Sequence, residues 1–374
     1  MIARLYVDNF RTLVNFELKL DPTNLFLGNN GSGKSSVFDV LRRLQGFISG
    51  ETRLAEAFPS SDFTSWSKGG SNTQTFELDL ETEAALFTYR LVIEFAGDWG
   101  KSKVKEEKLK AGDTELFLSR DGEARIFKDD GQLGTVLQFD WTQSGVGLLQ
   151  ERRENKKLAM FKAHIQNVIV VRPTPALMLS ESRDEENCLS LHMENFAAWY
   201  RYLTLENMSA IQQMNGELPE SMPGFENLNS MLAGERRILK ANFQTADGKT
   251  HTYSFAHISD GQKMLVAIYA LLLGTKGKNA CLFIDEPDNC ISIREIQPWL
   301  RLFVDSCGKG QDWEQVVLIS HHPEVIDYSS LGIPVWFDRE PESHTRTGRI
   351  KQQQGGVGDP ALSLSQSIAR GLVQ

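Results

Sequence analysis

Hydrophobic and polar positions follow different patterns along the chain, and each pattern predicts a different kind of structure. Residues 73–128 alternate and are rich in Thr, Phe, Val and Tyr, which predicts an antiparallel meander. Residues 150–240 are predicted to be mostly helical. From residue 259 onward the pattern predicts a helix, a strand at 281–285, another helix and a strand at 315–320. This alternation indicates a parallel sheet with helices on its faces.

The N-terminal segment has its own pattern. Residues 2–27 are predicted to form two strands around a turn at Asp21-Pro22, and the second strand leads into a glycine-rich segment. Beyond it, apolar residues recur at helical spacing (Val37, Val40, Leu41 and Leu44). Strand, glycine-rich segment and helix are therefore predicted in that order. The chain has no sustained heptad repeat, so no long coiled coil is expected.

Composition places the chain among soluble proteins. Hydrophobic residues make up 41% and charged residues 24% of the chain, and the longest apolar run, Leu265 to Leu273, is too short to span a bilayer. A cytoplasmic protein without a membrane partner is therefore predicted, and its four cysteines are expected to be free thiols. The net charge of −9 argues against a surface that coats DNA, although basic stretches at 151–157 and 236–237 leave local contacts with nucleic acid open.

The glycine-rich segment suits a phosphate ligand. Its residues are Gly28, Asn29, Asn30, Gly31, Ser32, Gly33, Lys34, Ser35 and Ser36. Gly28 and Gly33 let the backbone approach closely, so that several N–H groups at the start of a helix can point at a phosphate. Lys34 adds a mobile positive charge for the β- and γ-phosphates, and Ser35 offers a hydroxyl to Mg²⁺. The segment predicts a nucleotide site with Mg²⁺ as a cofactor.

Two predicted buried strands end in residues that suit phosphate chemistry. The first delivers Asp285 and Glu286 at its carboxyl end, the edge at which ligands bind to parallel sheets. Asp285 is predicted to hold Mg²⁺ through water, and Glu286 to act as the general base on the attacking water. The second strand is followed by His321, which is predicted to reach the γ-phosphate. The alternatives are a surface position for the two carboxylates and a purely structural role for the histidine.

A fourth candidate lies just before the apolar helix 264–273. Ser259 is a good N-cap, so plain helix capping explains it. The same helix tip, with the backbone of Gly261 exposed and Gln262 beside it, also suits a phosphate. Because the chain already carries one phosphate loop, a second site of this kind makes sense if it serves the nucleotide of a neighbouring subunit.

Together, these elements resemble the ATP-binding-cassette ATPases. The resemblance is closest to the RecF/SMC-like branch, particularly the OLD-type ATPases of bacterial genome defence. It identifies Gly28 to Ser36 as the Walker A loop, Asp285 and Glu286 as the Walker B pair, residues 259–262 as the signature motif and His321 as the switch histidine. It implies a head-to-tail homodimer, or a higher homo-oligomer, that encloses two ATP molecules.

The resemblance assigns two further residues. Arg11, in the N-terminal strand motif, is implied to contact the nucleotide, and Gln143 is implied to be the Q-loop ligand of the metal, with Gln150 as the alternative. Two positions depart from the family pattern. Asp260 stands where transporters usually have a second glycine, and Ser292 stands where relatives often have His or Asp.

The resemblance implies a Mg²⁺-dependent ATPase switch that regulates a separately encoded effector in anti-phage defence. OLD nucleases carry a carboxylate-rich Toprim domain after the ATPase, whereas only about fifty residues follow His321 here, without such a cluster. A nuclease on another chain is therefore the expected effector. The alternative is a RecF-like ATPase that clamps DNA. A transporter subunit is disfavoured because Ser35 and Ser259 are further apart than a transporter insert usually requires.

The predicted fold class is α/β, a P-loop NTPase of ABC-ATPase type with a mixed sheet flanked by helices. Within a single head, residues 1–50 and 258–350 are predicted to form the nucleotide-binding core. Residues 51–140 are predicted to be an antiparallel β subdomain, 141–257 a mainly helical insert, and 351–374 a tail with a short helix.

Overall fold

The computed structural model describes residues 1–66, 72–95, 102–304, 306–308, 310–328, 331–350 and 362–372. The described strands and helices, in chain order, are β1 (Ile2–Asp8), β2 (Phe16–Lys19), β3 (Thr23–Gly28), α1 (Lys34–Ser49), α2 (Leu54–Ala57), β4 (Thr73–Glu81), β5 (Leu86–Phe95), β6 (Ser102–Ala111), β7 (Thr114–Arg120), β8 (Glu123–Phe127), β9 (Leu133–Gln138), α3 (Gly145–Leu148), α4 (Lys156–Gln166), β10 (Val168–Val171), β11 (Glu181–Ser182), α5 (Phe196–Glu206), α6 (Met208–Ser221), β12 (Phe225–Ala233), β13 (Arg236–Gln244), β14 (Thr250–Ser254), α7 (Asp260–Thr275), β15 (Ala280–Asp285), α8 (Ile293–Val304), β16 (Trp313–Ile319), α9 (Pro323–Ile326), β17 (Val335–Asp338), β18 (Arg346–Arg349) and α10 (Leu364–Ala369).

The chain divides into two compact units, each built from two stretches of sequence. Unit 1 comprises Met1–Val168 and Val335–Arg349, and unit 2 comprises Ile169–Pro334 and Ile350–Gln374. The division into core, β subdomain, helical insert and tail stays a prediction.

Unit 1 contains an eight-stranded antiparallel sheet with the order β2-β1-β4-β5-β6-β7-β8-β9. The predicted meander is confirmed, and it extends further than predicted because β1 pairs with β4. In that pair Leu5 lies opposite Leu78 and Val7 opposite Phe76, and all four side chains are buried. The prediction of two strands within residues 2–27 was wrong, because β1, β2 and β3 all form there.

The strand before the glycine-rich segment has a separate partner in unit 1. β3 pairs in parallel with β17, so that Gly28 lies opposite Phe337, and β17 pairs with β18 in antiparallel orientation. The helix that follows, α1, buries the residues that its spacing predicted, Val37, Val40, Leu41 and Leu44. The predicted order of strand, glycine-rich loop and helix is confirmed.

A buried carboxylate joins the meander to the loop that follows it in unit 1. Glu107 on β6 accepts hydrogen bonds from Tyr89 Oη at 2.9 Å, Ser144 Oγ at 2.6 Å and the Gly145 N–H at 2.6 Å. Burial raises the pKa of the Glu107 carboxyl above its ordinary value, although these hydrogen bonds act in the opposite direction. The interaction fixes the loop between β9 and α4, which carries Gln143.

Replacing Glu107 tests this anchor. We expect Glu107→Leu to lower the free energy of unfolding by about 3 kcal/mol, because three buried donors lose their acceptor. Glu107→Gln keeps one oxygen for the Gly145 N–H and is expected to cost roughly 1 kcal/mol. Urea denaturation measures both values, and a Leu variant as stable as the wild-type protein would contradict the account.

Unit 2 contains the predicted parallel strands. β15 and β16 are parallel neighbours, with Phe283 opposite Val317 and Asp285 opposite Ile319, and β10 lies next to β15. Every residue of β15 is buried, as its unbroken apolar run predicts. The helix before it, α7, is buried from Lys263 to Thr275. Burying each large aliphatic side chain contributes about 1.5–3 kcal/mol, so α7 is firmly held in its unit.

The helical prediction for residues 150–240 was only partly right. Helices α4, α5 and α6 form there, but β12 and β13 build an antiparallel hairpin, and β14 adds to β13. The two strands are joined by Gly234 and Glu235, and Gly234 has a φ of 65°. The alternation in β12 fades after Leu228, where its residues become largely exposed, so the hairpin has little periodic signal.

A short helix forms in the predicted tail. It is α10, and Ser363 caps it through a hydrogen bond from the Gln366 N–H at 3.3 Å. Residues 351–361 lie outside the described part of the chain.

Candidate functional site

The glycine-rich loop in unit 1 is shaped by close contacts that only glycine allows. Gly28 has a φ of 139° and Gly33 a φ of 102°, a region that side-chain-bearing residues rarely adopt. A Cβ on Gly28 would overlap the carbonyl oxygen of Phe337, and one on Gly33 would overlap Thr345 Oγ1. Both glycines are therefore required by packing as well as by backbone conformation.

Thr345 braces this loop from the far end of the sequence. Its side chain is fully buried, and its Oγ1 donates to the carbonyl of Ser32 at 2.9 Å. Its N–H donates to the carbonyl of Thr12 at 2.9 Å. No local pattern marked Thr345 or Thr12, because both act through contacts across more than three hundred residues of sequence.

The loop fits an anionic ligand. No side chain caps α1, and its first turn contains no acidic residue, so the positive end of the helix dipole is not neutralised there. Ser32 Oγ is buried without a hydrogen-bond partner among the described residues. Lys34 is 6% exposed, and its Nζ donates to the carbonyls of Gly28 at 2.6 Å and Asn29 at 3.0 Å. Together, these features suit the phosphates of a nucleotide.

Two other predicted residues of unit 1 bind to protein groups. Arg11 Nε pairs with Asp62 Oδ1 at 2.7 Å, and Arg11 Nη1 pairs with Asp39 Oδ2 at 2.5 Å. Gln143 Nε2 donates to Asp140 Oδ2 at 3.0 Å. The nucleotide contact of Arg11 and the metal contact of Gln143 stay predictions.

The acidic pair in unit 2 lies at the carboxyl end of β15. The side chain of Asp285 is 4% exposed, whereas Glu286 is half-buried. Glu286 has a φ of 54°, and its N–H donates to the carbonyl of Ile319 at 2.8 Å. Its Oε2 accepts a hydrogen bond from Asn289 Nδ2 at 2.6 Å. A non-glycine residue held at positive φ is a form of local strain that clusters at functional sites.

The loop after Glu286 contains a second buried carboxylate. Asp288 is 7% exposed, and its Oδ1 has no hydrogen-bond partner in the described part of the chain. Burial raises the pKa of Asp288, and a hydrogen bond from Ser320 partly offsets that rise. Ser320 Oγ also accepts the N–H of His322 at 3.0 Å. This connection ties the loop after β15 to the turn after β16.

The two histidines follow β16 at the same edge of the sheet as Asp285. His322 Nδ1 accepts a hydrogen bond from the Glu324 N–H at 3.2 Å and thereby caps α9. His321 is exposed. His321 is therefore the more exposed of the two residues, and His322 Nδ1 is already engaged.

The predicted signature motif forms the start of α7. Ser259 and Gln262 make a reciprocal capping box, with Ser259 Oγ 3.2 Å from the Gln262 N–H and Gln262 Oε1 3.0 Å from the Ser259 N–H. A Cβ on Gly261 would lie 2.5 Å from the carbonyl oxygen of Cys290. The tip of α7 therefore packs against the loop that follows Glu286. Ser259 therefore caps α7, as the capping alternative predicted. A contact between Ser259 and a phosphate stays a prediction.

One residue of this site was missed from the sequence. Arg172, just after β10, donates to Asp285 Oδ2 from Nε at 2.7 Å and also from Nη2. A lone arginine after a four-residue apolar strand carries no motif, and only the pairing of β10 beside β15 places it there.

Known proteins were compared with the chain by sequence and by structure. Residues 24–327 match the family described as "AAA domain, putative AbiEii toxin, Type IV TA system". No curated protein sequence matches the chain. Among the described residues, none of the helices is long and apolar enough to cross a membrane.

Solved structures of SMC heads share the fold. A crystal structure of an SMC head bound to the C-winged helix domain of ScpA is 14% identical, covers 98% of this chain and 99% of its own, and has a TM-score of 0.59. An SMC head with an extended coiled coil, bound to the C-terminal domain of ScpA from Pyrococcus furiosus, is 13% identical, with coverages of 99% and 98% and a TM-score of 0.55. An SMC head with a coiled coil and joint from Pyrococcus yayanosii is 11% identical, with coverages of 99% and 98% and a TM-score of 0.51.

At these identities the structural likeness concerns the fold alone, whereas the family match spans most of the sequence. The chain belongs to the family described as "AAA domain, putative AbiEii toxin, Type IV TA system", and it has the fold of SMC heads.

Proposed function

We propose that this protein is a nucleotide-driven switch that hydrolyses ATP and dimerises head to tail around two ATP molecules. The observation that carries the proposal is the packing of Gly261 against Cys290 O, which joins the tip of α7 to the loop after Glu286. The tip of α7 is proposed to contact the nucleotide of a second copy, and it packs against the loop that follows the proposed catalytic base, Glu286. This packing couples the contact between the two copies to hydrolysis at Glu286.

The proposed chemistry divides among the residues described above. The loop amides and Lys34 bind the β- and γ-phosphates, and Glu286 orients the attacking water and takes its proton. His321 contacts the γ-phosphate. Ser35 and Asp285 stay the predicted protein ligands of Mg²⁺, because hydroxyl and carboxylate oxygens suit this ion, which would neutralise phosphate charge when bound. The described residues contain no cluster of three or more His, Cys, Asp or Glu side chains that could hold a metal ion by themselves.

The dimer is proposed because Ser259 and Gly261 offer a second phosphate-binding helix tip. The tip begins a sixteen-residue helix that is buried from Lys263 onward, so it is presented on a rigid support. A tip of this kind from one copy would complete the nucleotide site of the other copy.

A mixing experiment tests this shared site. Ser259→Asp keeps a good N-cap but adds a negative charge that repels the triphosphate, so we expect the variant alone to lose ATP turnover. Lys34→Ala is expected to be inactive alone as well. Mixing the two is expected to restore roughly a quarter of wild-type turnover, because about half of the dimers are mixed and each has one intact site.

The matched control is Ser363→Asp. Ser363 caps α10 with the same reciprocal capping box, made with Gln366, so the substitution makes the same chemical change at another helix. It should leave turnover at the wild-type level. A mixture as inactive as its components, measured by phosphate release, would rule out a site shared between two copies.

The switch is further proposed to regulate a separately encoded effector, a nuclease, in bacterial anti-phage defence, as in OLD-type ATPases. The family description, which prints a putative AbiEii toxin of a Type IV TA system, supports a toxic output and names no nuclease. Two of the SMC heads of similar fold are bound to a partner domain, which is a precedent for a partner on a head of this kind. Affinity capture from the native host, with ATP and without it, should recover one nuclease. Capture of no protein in either state would refute the effector.

The alternative of a DNA clamp has less support, because half of the cations in the two basic stretches bind to protein groups. In the two basic stretches, Lys157 Nζ donates to the carbonyl of Asp129, Arg236 pairs with Glu181, and Arg237 donates to the carbonyl of Ser230. These three cations are engaged with neighbouring protein groups, whereas Arg152, Arg153 and Lys156 of the first stretch are exposed. ATP-dependent DNA binding that weakens with salt would reverse this preference.

A further inference from the structure

The contact between Arg172 and Asp285 links two residues of unit 2 that are far apart in sequence. Both Nε and Nη2 of the guanidinium donate to the same carboxylate oxygen, Oδ2. Two N–H donors on one oxygen of an ionised pair make a strong, directional interaction. Arg172 therefore occupies an oxygen of the side chain that is proposed to hold the divalent cation.

The two partners differ in how easily they can move. The side chain of Asp285 is 4% exposed, whereas that of Arg172 is 39% exposed. A buried carboxylate needs a compensating charge, because an unpaired buried charge is costly. The guanidinium supplies that charge. Because it is partly exposed, it can turn towards solvent, where water can accept its hydrogen bonds.

The backbone of Arg172 is held in place. Its N–H donates to the carbonyl of Leu191 at 2.7 Å, and its carbonyl accepts a hydrogen bond from Thr174 Oγ1 at 3.1 Å. The side chain of Arg172 is therefore its mobile part, and it is the more exposed of the two partners.

We propose that Arg172 and the divalent cation are alternative partners of Asp285, and that Arg172 is a positioning residue which sets the cation affinity of the site. This inference rests on the proposed function. A guanidinium and a divalent ion repel one another, and a carboxylate oxygen engaged by two N–H groups is a poor ligand for a hard cation. In this proposal, binding of the cation at Oδ2 displaces the guanidinium, and withdrawal of the cation restores the pair.

The consequence is measurable as coupling between cation and nucleotide. The probe is a fluorescent, non-hydrolysable ATP analogue, and its dissociation constant is measured with Mg²⁺ and with EDTA. The dissociation constant in EDTA divided by the dissociation constant in Mg²⁺ reports how much the cation strengthens nucleotide binding. We expect Arg172→Ala to raise this ratio about tenfold, in the middle of the usual range for coupled sites, because the cation no longer displaces a guanidinium.

A second variant and a control keep the test informative. Arg172→Gln retains a hydrogen-bond donor without the positive charge and should raise the ratio in the same direction if the alanine variant does not fold. The matched control is Arg201→Ala, which removes another arginine of unit 2, one that pairs with Glu185 and donates to the carbonyl of Arg183. Its ratio should equal that of the wild-type protein.

The possible outcomes distinguish a failure of this inference from a failure of the proposed function. A wild-type protein that does not bind the analogue, or binds it equally in Mg²⁺ and EDTA, overturns both. If the wild-type binding depends on the cation but the Arg172 variants leave the ratio unchanged, the competition is wrong and the proposed function stands. A ratio that falls means that Arg172 instead orients Asp285 for the cation, which also overturns the competition.

Discussion

Glu286→Gln is expected to lower ATP turnover by about a thousandfold, in the range typical of a lost general base, while leaving ATP bound. The amide cannot accept the proton of the attacking water, but it keeps an oxygen for the hydrogen bond from Asn289 Nδ2. The loop after β15 and its contact with Gly261 should therefore persist. Because the bound ATP is no longer consumed, the protein should accumulate as a dimer.

Three measurements check this result. Phosphate release gives turnover, filtration followed by chromatography gives the retained nucleotide, and light scattering gives the mass with ATP and without it. Glu295→Gln is the control, because Glu295 is a nearby glutamate that accepts the Ser292 N–H at 3.1 Å, and the amide can accept it equally well. Normal turnover in Glu286→Gln would disprove its role as the base.

Lys34→Ala is expected to weaken nucleotide binding by roughly a hundredfold or more, since removing a buried charge from a hydrogen-bonded pair costs about 2–5 kcal/mol. The variant loses the charge that is proposed to bind the phosphates. It also leaves the carbonyls of Gly28 and Asn29 without the donor that draws them together. Turnover should fall below detection. The dissociation constant of a fluorescent ATP analogue measures the effect.

Lys162→Ala is the matched control for Lys34→Ala. Lys162 Nζ also donates to two backbone carbonyls in unit 1, those of Gly147 at 2.6 Å and Leu149 at 2.9 Å. Its loss should lower the melting temperature and leave nucleotide affinity unchanged. If Lys34→Ala behaves in the same way, with stability reduced but affinity retained, the assignment of the loop to phosphate binding is wrong.

Local sequence predicted the parts of the fold that depend on neighbouring residues. Each of these parts shows a pattern that spans no more than a loop, a helix or a strand. The patterns are the glycines at the two ends of the loop, the helical spacing after Lys34 and the apolar run that ends at Asp285. Their conformations follow from the backbone freedom of glycine and from the burial of apolar side chains. For that reason β3, α1 and β15 form where they were predicted.

The hairpin of β12 and β13 shows where local reasoning failed. Leu228 and Leu239 are buried, but most of the outer half of β12 is exposed, so the alternation that marks a strand is weak. The two strands are stabilised by hydrogen bonds to one another and by a two-residue turn at Gly234. Pairing of this kind depends on a partner strand, and the periodicity within one segment does not predict whether a partner is present.

The available chemical groups could be read from the amino-acid order: an amide-lined loop with a lysine, two carboxylates at the end of a buried strand, a histidine and a capped helix N-terminus. The contacts that each group makes depend on how the chain folds. The tertiary structure placed Thr345 against the loop, Cys290 against Gly261 and Arg172 on Asp285. These contacts join residues that are distant in the chain. A hydrogen bond or ion pair requires that two groups be close in space, and neither the spacing of residues nor the composition predicts that proximity.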